Sequence, residues 1–121
     1  QWFLLILLGV ALQAQDVLSP EALALAKRGD QAAALAREGR LDEAEREYRA
    51  AVADAKQTLG PDKPVTVNLR IGLAIVLRVK GSWDEAVKES RDLMQVVVRV
   101  VGPEHGATML VCGNLAKSLA G

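Results

Sequence analysis

Only a few residues have side chains whose type and spacing could support chemistry: the single cysteine Cys112, the single histidine His105, and the acidic doublets Asp42-Glu43 and Asp84-Glu85. A thiol attacks only as its thiolate and needs a base or a cationic neighbour. The run around it, TMLVCGNLA, supplies neither, so Cys112 reads as a small buried hydrophobe. One cysteine forms no intramolecular disulfide, and with His105 alone beside it there is no zinc ligand set. His105, in the loop GPEHG, reads as an exposed turn residue. Each acidic doublet opens a helical pattern, where the helix dipole favours acids in the first turn. There is no Ser/His/Asp set, no GxxxxGK and no pair of histidines. We expect neither catalysis nor a bound cofactor or metal.

The chain of 121 residues is one domain's worth, half apolar and a quarter charged, which is enough for a modest core. Fifteen basic and fifteen acidic residues cancel. No electrostatic footprint for nucleic acid or for an anionic membrane surface is present. Aromatic residues are confined to Trp2, Phe3, Tyr48 and Trp83, so the core must come from Ala, Leu and Val, which suit closely packed helices.

Residues 2–12, WFLLILLGVAL, form an uncharged apolar run within a leader at 1–19. The run is too short to span a bilayer, which takes about twenty residues. It suits the core of a signal peptide, with Gly9-Val10-Ala11 as a small-x-small cleavage pattern, although neither an initiator Met nor basic residues precede it. Two readings stay open: a signal peptide or clipped membrane anchor, placing the protein in a secretory, periplasmic or membrane setting, or the tail of an earlier buried helix in a cytoplasmic chain.

The organising feature is a repeat. GRLDEAE at Gly39 returns as GSWDEAV at Gly81, and LGPDKP at Leu59 returns as VGPEHG at Val101, both 42 residues on. Ungapped superposition at this offset makes Gly39, Asp42, Glu43, Ala44, Glu47, Arg49, Gly60, Pro61, Thr66, Leu73, Ala74 and Leu77 identical to their counterparts. Carried backwards, the register puts Ala32 and Leu35 on Ala74 and Leu77, so a diverged first unit precedes.

Each unit reads as two helices. Leu41, Ala44, Tyr48, Ala51, Val52, Ala55 and Leu59 recur at spacings of three and four, as do Trp83, Ala86, Val87, Ser90, Leu93, Met94, Val97 and Val101. Gly39 and Gly81 end the first helices as left-handed caps, Ser82 with Glu85 forms a capping box, and Gly60-Pro61 and Gly102-Pro103 turn the chain into the next unit. Ser19-Pro20-Glu21 is a helix start. Val65 to Ile71 alternates like a strand and Val96 to Val101 is rich in β-branched residues, but the equivalent stretches, Leu23 to Arg37 and Asp54 to Leu59, are alanine-rich and helical. The register decides for helix. The expectation is an all-α fold, an α-solenoid of antiparallel helix pairs at 20–121 with about two and a half repeats and five helices.

A helix pair cannot bury its stripe alone, so units stack and curve into an extended concave surface, open to a peptide rather than shaped for a small substrate. The pattern LAREGRLDEAEREYRAAVADAKQTLGPDKP, then GLAIVLRVKGSWDEAV and GPEHG with GNLAKSL, resembles tetratricopeptide repeats of the long, 42-residue kind found in kinesin light chains. The resemblance covers about residues 20–121. It implies a protein-binding adaptor whose first helices line the groove. Position by position, the groove face would show Asn68, Ile71, Gly72, Ile75 and Arg78 in the second unit and Leu110, Gly113, Asn114 and Lys117 in the third. Asn114 matches the N-L-A asparagine that in this family bonds the backbone of a bound peptide, while Gly72 replaces it in the second unit. An apolar groove edged by Arg78 and Lys117 would favour a hydrophobic, acidic-tagged segment. Two other roles stay open: self-association into a structural assembly, and regulation as part of a larger enzyme or sensor. The last helix, at 110–119, has little polar surface for a capping helix, so it is expected to pack against further sequence or a further copy.

Overall fold

Ser19 and Pro20 set where the first helix begins. In the computed structural model, which describes residues 19–121, Ser19 is extended and its Oγ accepts a hydrogen bond from the Ala22 N–H at 3.2 Å. Pro20 takes the first helical position, where a missing N–H costs nothing. This helix, α1, spans Pro20–Arg37. Four more follow: α2 at Leu41–Thr58, α3 at Pro64–Lys80, α4 at Trp83–Val101 and α5 at Gly106–Ala120. Among the described residues there is no strand; both β-rich stretches are helical, inside α3 and α4. The apolar run at 2–12 lies outside the described residues.

The turns repeat in atomic detail. Gly39 and Gly81 have φ of 82° and 89°, a left-handed conformation that a β-carbon penalises, and the next residue's N–H reaches back to a helix carbonyl, Arg40 to Leu35 and Ser82 to Leu77. At the other end of each unit a threonine closes the linker: the Thr66 hydroxyl donates to the Gly60 carbonyl at 2.8 Å, and that of Thr108 to Gly102 at 2.7 Å. Both threonines are buried, which accounts for their place among the repeat identities. The capping box expected of Ser82 and Glu85 is not formed. Ser82 has ψ of 66° and makes no side-chain cap, because its backbone is committed to the glycine turn, and the Glu85 carboxylate accepts instead from Arg49 at 2.6 Å.

Each helix packs on its neighbours in sequence, and the first helices of successive units also meet, α1 with α3 and α3 with α5. Two apolar clusters result. One joins Leu25, Tyr48, Val52, Leu73 and Leu77; the other joins Val67, Ile71, Leu93, Val97 and Val111. Helix α3 contributes to both. Three expected core positions stay exposed. Trp83 is 39% exposed with the end of α5, at Gly121, against its ring; Val101 closes α4 beside the Gly102 turn; and Cys112 is exposed on α5.

Polar pairs tie helix to helix. Arg28 bonds Glu47 at 3.1 Å and, 42 residues on, Arg70 bonds Glu89 at 3.0 Å, each joining the first helix of a unit to the second. The Arg70 side chain is only 8% exposed, so losing its partner would strand a charge in the interior. Lys80 meets both Asp42 and Glu45 at 2.8 Å, and Arg49 bridges Glu45 and Glu85, linking α2, α3 and α4. Hydrogen bonding from Lys80, then from Arg49, holds the Glu45 carboxyl below the usual range, and Lys80 does the same for Asp42.

The two joints between units solve one problem differently. Tyr48 and Ser90 are equivalent by the register, as are Gly72 and Asn114. A β-carbon at Gly72 would lie 2.5 Å from the Tyr48 ring, so the large ring requires the glycine. At the second joint the Asn114 amide donates to the Ser90 hydroxyl at 3.1 Å. We expect Gly72→Ala to destabilise the protein by about 1–3 kcal/mol through overpacking. In a Tyr48→Ser background the same change should instead stabilise by about 0.5–1 kcal/mol, the helix-propensity gain of alanine over glycine. Urea denaturation of the four variants measures this, and equal effects in both backgrounds would contradict the assignment.

Acid should weaken the Lys80 network in a defined direction. Glu45 and Asp42 stay ionised in the folded state where the unfolded chain has already taken up protons. Their contribution is therefore complete above the ordinary carboxylate range and is lost as pH falls through their lowered folded values. From about pH 7 to about pH 3 the melting temperature of the parent protein should fall more steeply than that of Lys80→Met, the two converging in acid. Parallel curves would remove the network from the account.

Candidate functional site

Because the first helices touch in sequence, a furrow forms at each contact. Between α1 and α3 lies a furrow of about 220 Å³ lined by Ala26, Gly29, Asp30, Ala33, Tyr48, Val65, Asn68 and Leu69. Between α3 and α5 lies one of about 180 Å³ lined by Ile75, Arg78, Met109, Leu110, Gly113, Asn114 and Lys117. The 42-residue shift carries Ala33 onto Ile75 and Asn68 onto Leu110, while the other lining residues fall at different register positions, so the furrows lie at successive joints without being copies of one another.

Their chemistry differs. The first carries the Asp30 carboxylate and the Tyr48 hydroxyl, whose pKa is raised chiefly by burial and secondarily by the charge of Asp30. The second carries two cations, Arg78 and Lys117, over an apolar floor. Among the described residues neither cation is held by a carboxylate. An occupant of both furrows would meet negative potential at one and positive potential at the other.

The structure brings together six of the residues read from sequence: Ile75, Arg78, Leu110, Gly113, Asn114 and Lys117. Asn68 is exposed on the neighbouring furrow. Ile71 belongs elsewhere. It is 7% exposed and sits in the cluster with Val97 and Val111, since its side of α3 is the one covered by α4 and α5. Gly72, assigned to the groove face, lies beneath the Tyr48 ring.

Asn114 needs a second correction. Its Oδ1 accepts from Arg78 Nε at 2.7 Å, its Nδ2 donates to Ser90, and it is 6% exposed. The side chain that the resemblance would have bond a peptide backbone is thus spent inside the protein, where it fixes the Arg78 guanidinium at the furrow. His105, read as a turn residue, caps α5: its Nδ1 accepts from the Ala107 N–H at 3.0 Å.

Sequence reasoning missed the acidic half of the site. Asp30 occupies the register position of Gly72 and Asn114, and extending the repeat comparison to the diverged first unit would have singled it out. Tyr48 was assigned to the buried stripe, where it lies, but its ring also walls the furrow.

Comparison with known families finds a match: a family profile described as tetratricopeptide repeat covers residues 22–88, that is α1 to α3 and the start of α4. No curated protein matches the chain.

Removing the Asn114 amide should unfasten both links at once. Asn114→Ala leaves the Ser90 hydroxyl, which is fully buried, without its partner, and is expected to cost about 1–3 kcal/mol. Adding Ser90→Ala should then cost less than it does in the parent, because the same bond is counted in both. Additive losses in chemical denaturation would show that the two side chains act independently.

Proposed function

The chain belongs to the tetratricopeptide repeat family, and on that premise we propose that it binds a segment of another protein along the furrows between α1, α3 and α5. Repeats of this family generally mediate protein–protein interaction and are generally not catalytic. The 42-residue period fits the long, kinesin-light-chain-like kind within it.

The observation that carries the proposal is the charge difference between the furrows at two successive joints: Asp30 in one, Arg78 and Lys117 in the other, with Ile75 and Leu110 as apolar surface at the second. Apolar contact supplies affinity through burial, while charges at the rims set orientation and reject wrong partners more than they add binding energy. The fitting ligand is a hydrophobic segment with acidic residues at the end over Arg78 and Lys117, and a basic or hydrogen-bond-donating residue at the end over Asp30.

Fluorescence anisotropy with such a peptide, and with a second whose terminal charges are exchanged, tests this. The first should bind more tightly. The double variant Arg78→Glu, Lys117→Glu should weaken it by roughly tenfold or more, about 1.4 kcal/mol, while shifting preference towards the exchanged peptide. Equal binding of both peptides, or indifference to the double substitution, would overturn the reading.

A further inference from the structure

The polar groups of the first furrow are not ones the fold requires. Asp30 on α1, Tyr48 on α2 and Asn68 on α3 line it, and at the next joint the same three register positions hold Gly72, Ser90 and Leu110, where the helices meet in the same order. Nor do the three side chains serve the interior. Among the described residues Asp30 and Asn68 make no side-chain hydrogen bond or ion pair, and Tyr48 Oη bonds nothing, although Tyr48 is only 7% exposed. No side-chain nitrogen or oxygen of the described residues is both sealed off and without a partner. The little of Tyr48 that stays open therefore includes its hydroxyl, at the wall of the furrow. A tyrosine buried to this extent usually spends its hydroxyl on a partner in the protein; this one is left for an occupant.

The furrow offers acceptors beside an apolar slot. The Asp30 carboxylate and Tyr48 Oη are oxygens without a donor, and Asn68, exposed and unbonded, is able to turn its Oδ1 inward; Ala33, Val65 and Leu69 line the rest of a space of about 220 Å³. Its potential is negative. Burial and then the Asp30 charge raise the pKa of the Tyr48 hydroxyl, while the charge of Arg37 acts on it more weakly and in the opposite sense. A lysine side chain matches both parts, because its ammonium presents three donors and no acceptor and its methylene stem covers apolar surface. Arginine brings five donors in a rigid plane, more than these oxygens meet, and donors left unpaired cost affinity.

We infer, building on the segment-binding reading, that the first furrow is a lysine subsite: Asp30, Tyr48 Oη and Asn68 Oδ1 receive the ammonium of one lysine of the bound segment, and Ala33, Val65 and Leu69 its stem. Acetylation of that lysine, which removes the charge and leaves a single donor, should release this end of the segment.

Two measurements on the full chain separate the pocket from the peptide reading. In the first, Nα-acetyl-lysine amide is titrated by NMR; it should shift the Asn68 side-chain amide and the Gly29 backbone amide in the parent and not in Asp30→Asn, while Nα-acetyl-norleucine amide, the same stem without the ammonium, should shift neither. In the second, fluorescence anisotropy compares segments that differ only at the residue over Asp30. The lysine peptide should bind roughly tenfold more tightly than its norleucine and acetyl-lysine counterparts, and more tightly than the arginine one. Tyr48→Phe, which keeps the ring that Gly72 fits, should lose most of that advantage. Lysine amide that shifts neither signal, or shifts them no more than norleucine amide, would overturn the subsite, as would peptides that bind without preferring lysine or that bind as tightly with arginine. Shifts by lysine amide in a chain that binds none of the peptides would keep the pocket and remove the segment reading instead.

Discussion

Helix α3 has almost no side to give to water. Thr66, Val67, Leu69, Arg70, Ile71, Leu73, Ala74, Val76 and Leu77 are all buried, and they point to both flanks, so the helix is stable only when a unit lies on each side of it. Everything else in the described chain follows from supplying those flanks: α1 and α2 on one, α4 and α5 on the other. A single unit could not fold by itself on this plan, because its central helix would leave half its circumference exposed. This is the sense in which the fold is one-dimensional, with stability residing in contacts between neighbours rather than in a shared centre.

The polar interactions serve the same end. Arg28–Glu47 and Arg70–Glu89 fix the pitch of the helices within each unit, and the two threonine clasps fix the linkers between units. The Lys80 and Arg49 network is exposed and worth little pair by pair; its effect is to hold the ends of α2, α3 and α4 in one arrangement. Asn114 stands between these structural bonds and the surface. By accepting from Arg78 while donating to Ser90, it carries the order of the interior out to a cation at the furrow.

Much of this could be read from the chain, for identifiable reasons. Gly39, Gly81, Ser19 and Pro20 announce local geometry through backbone preferences, and the 42-residue identities announced the register that turned two β-rich stretches into helix. What sequence did not disclose was facing. Ile71 and Ile75 are one helical turn apart and equally apolar, but one is covered by α4 and α5 and the other borders a furrow; only the packing angles decide which. Cys112 was assigned to the core because its neighbours are apolar, a rule that fails on a helix whose outer face no other helix covers among the described residues. Ser82 and Glu85 have the spacing of a capping box, but competing partners, the Leu77 carbonyl and Arg49, are brought to them by tertiary structure. Asn114 matched a motif by name while its environment committed the side chain elsewhere.

The unlike joints bear on how such an array can grow. Tyr48 and Gly72 fit as a large ring in a notch, Ser90 and Asn114 as a hydroxyl against an amide, and in each case the two fitted residues belong to consecutive units. Copying the first unit in tandem would set Tyr48 against an aspartate at the position of Asp30, and copying the second would set Ser90 against the empty notch of Gly72. The order of units is therefore keyed: lengthening this chain by gene duplication requires a matching change on the far side of every new seam.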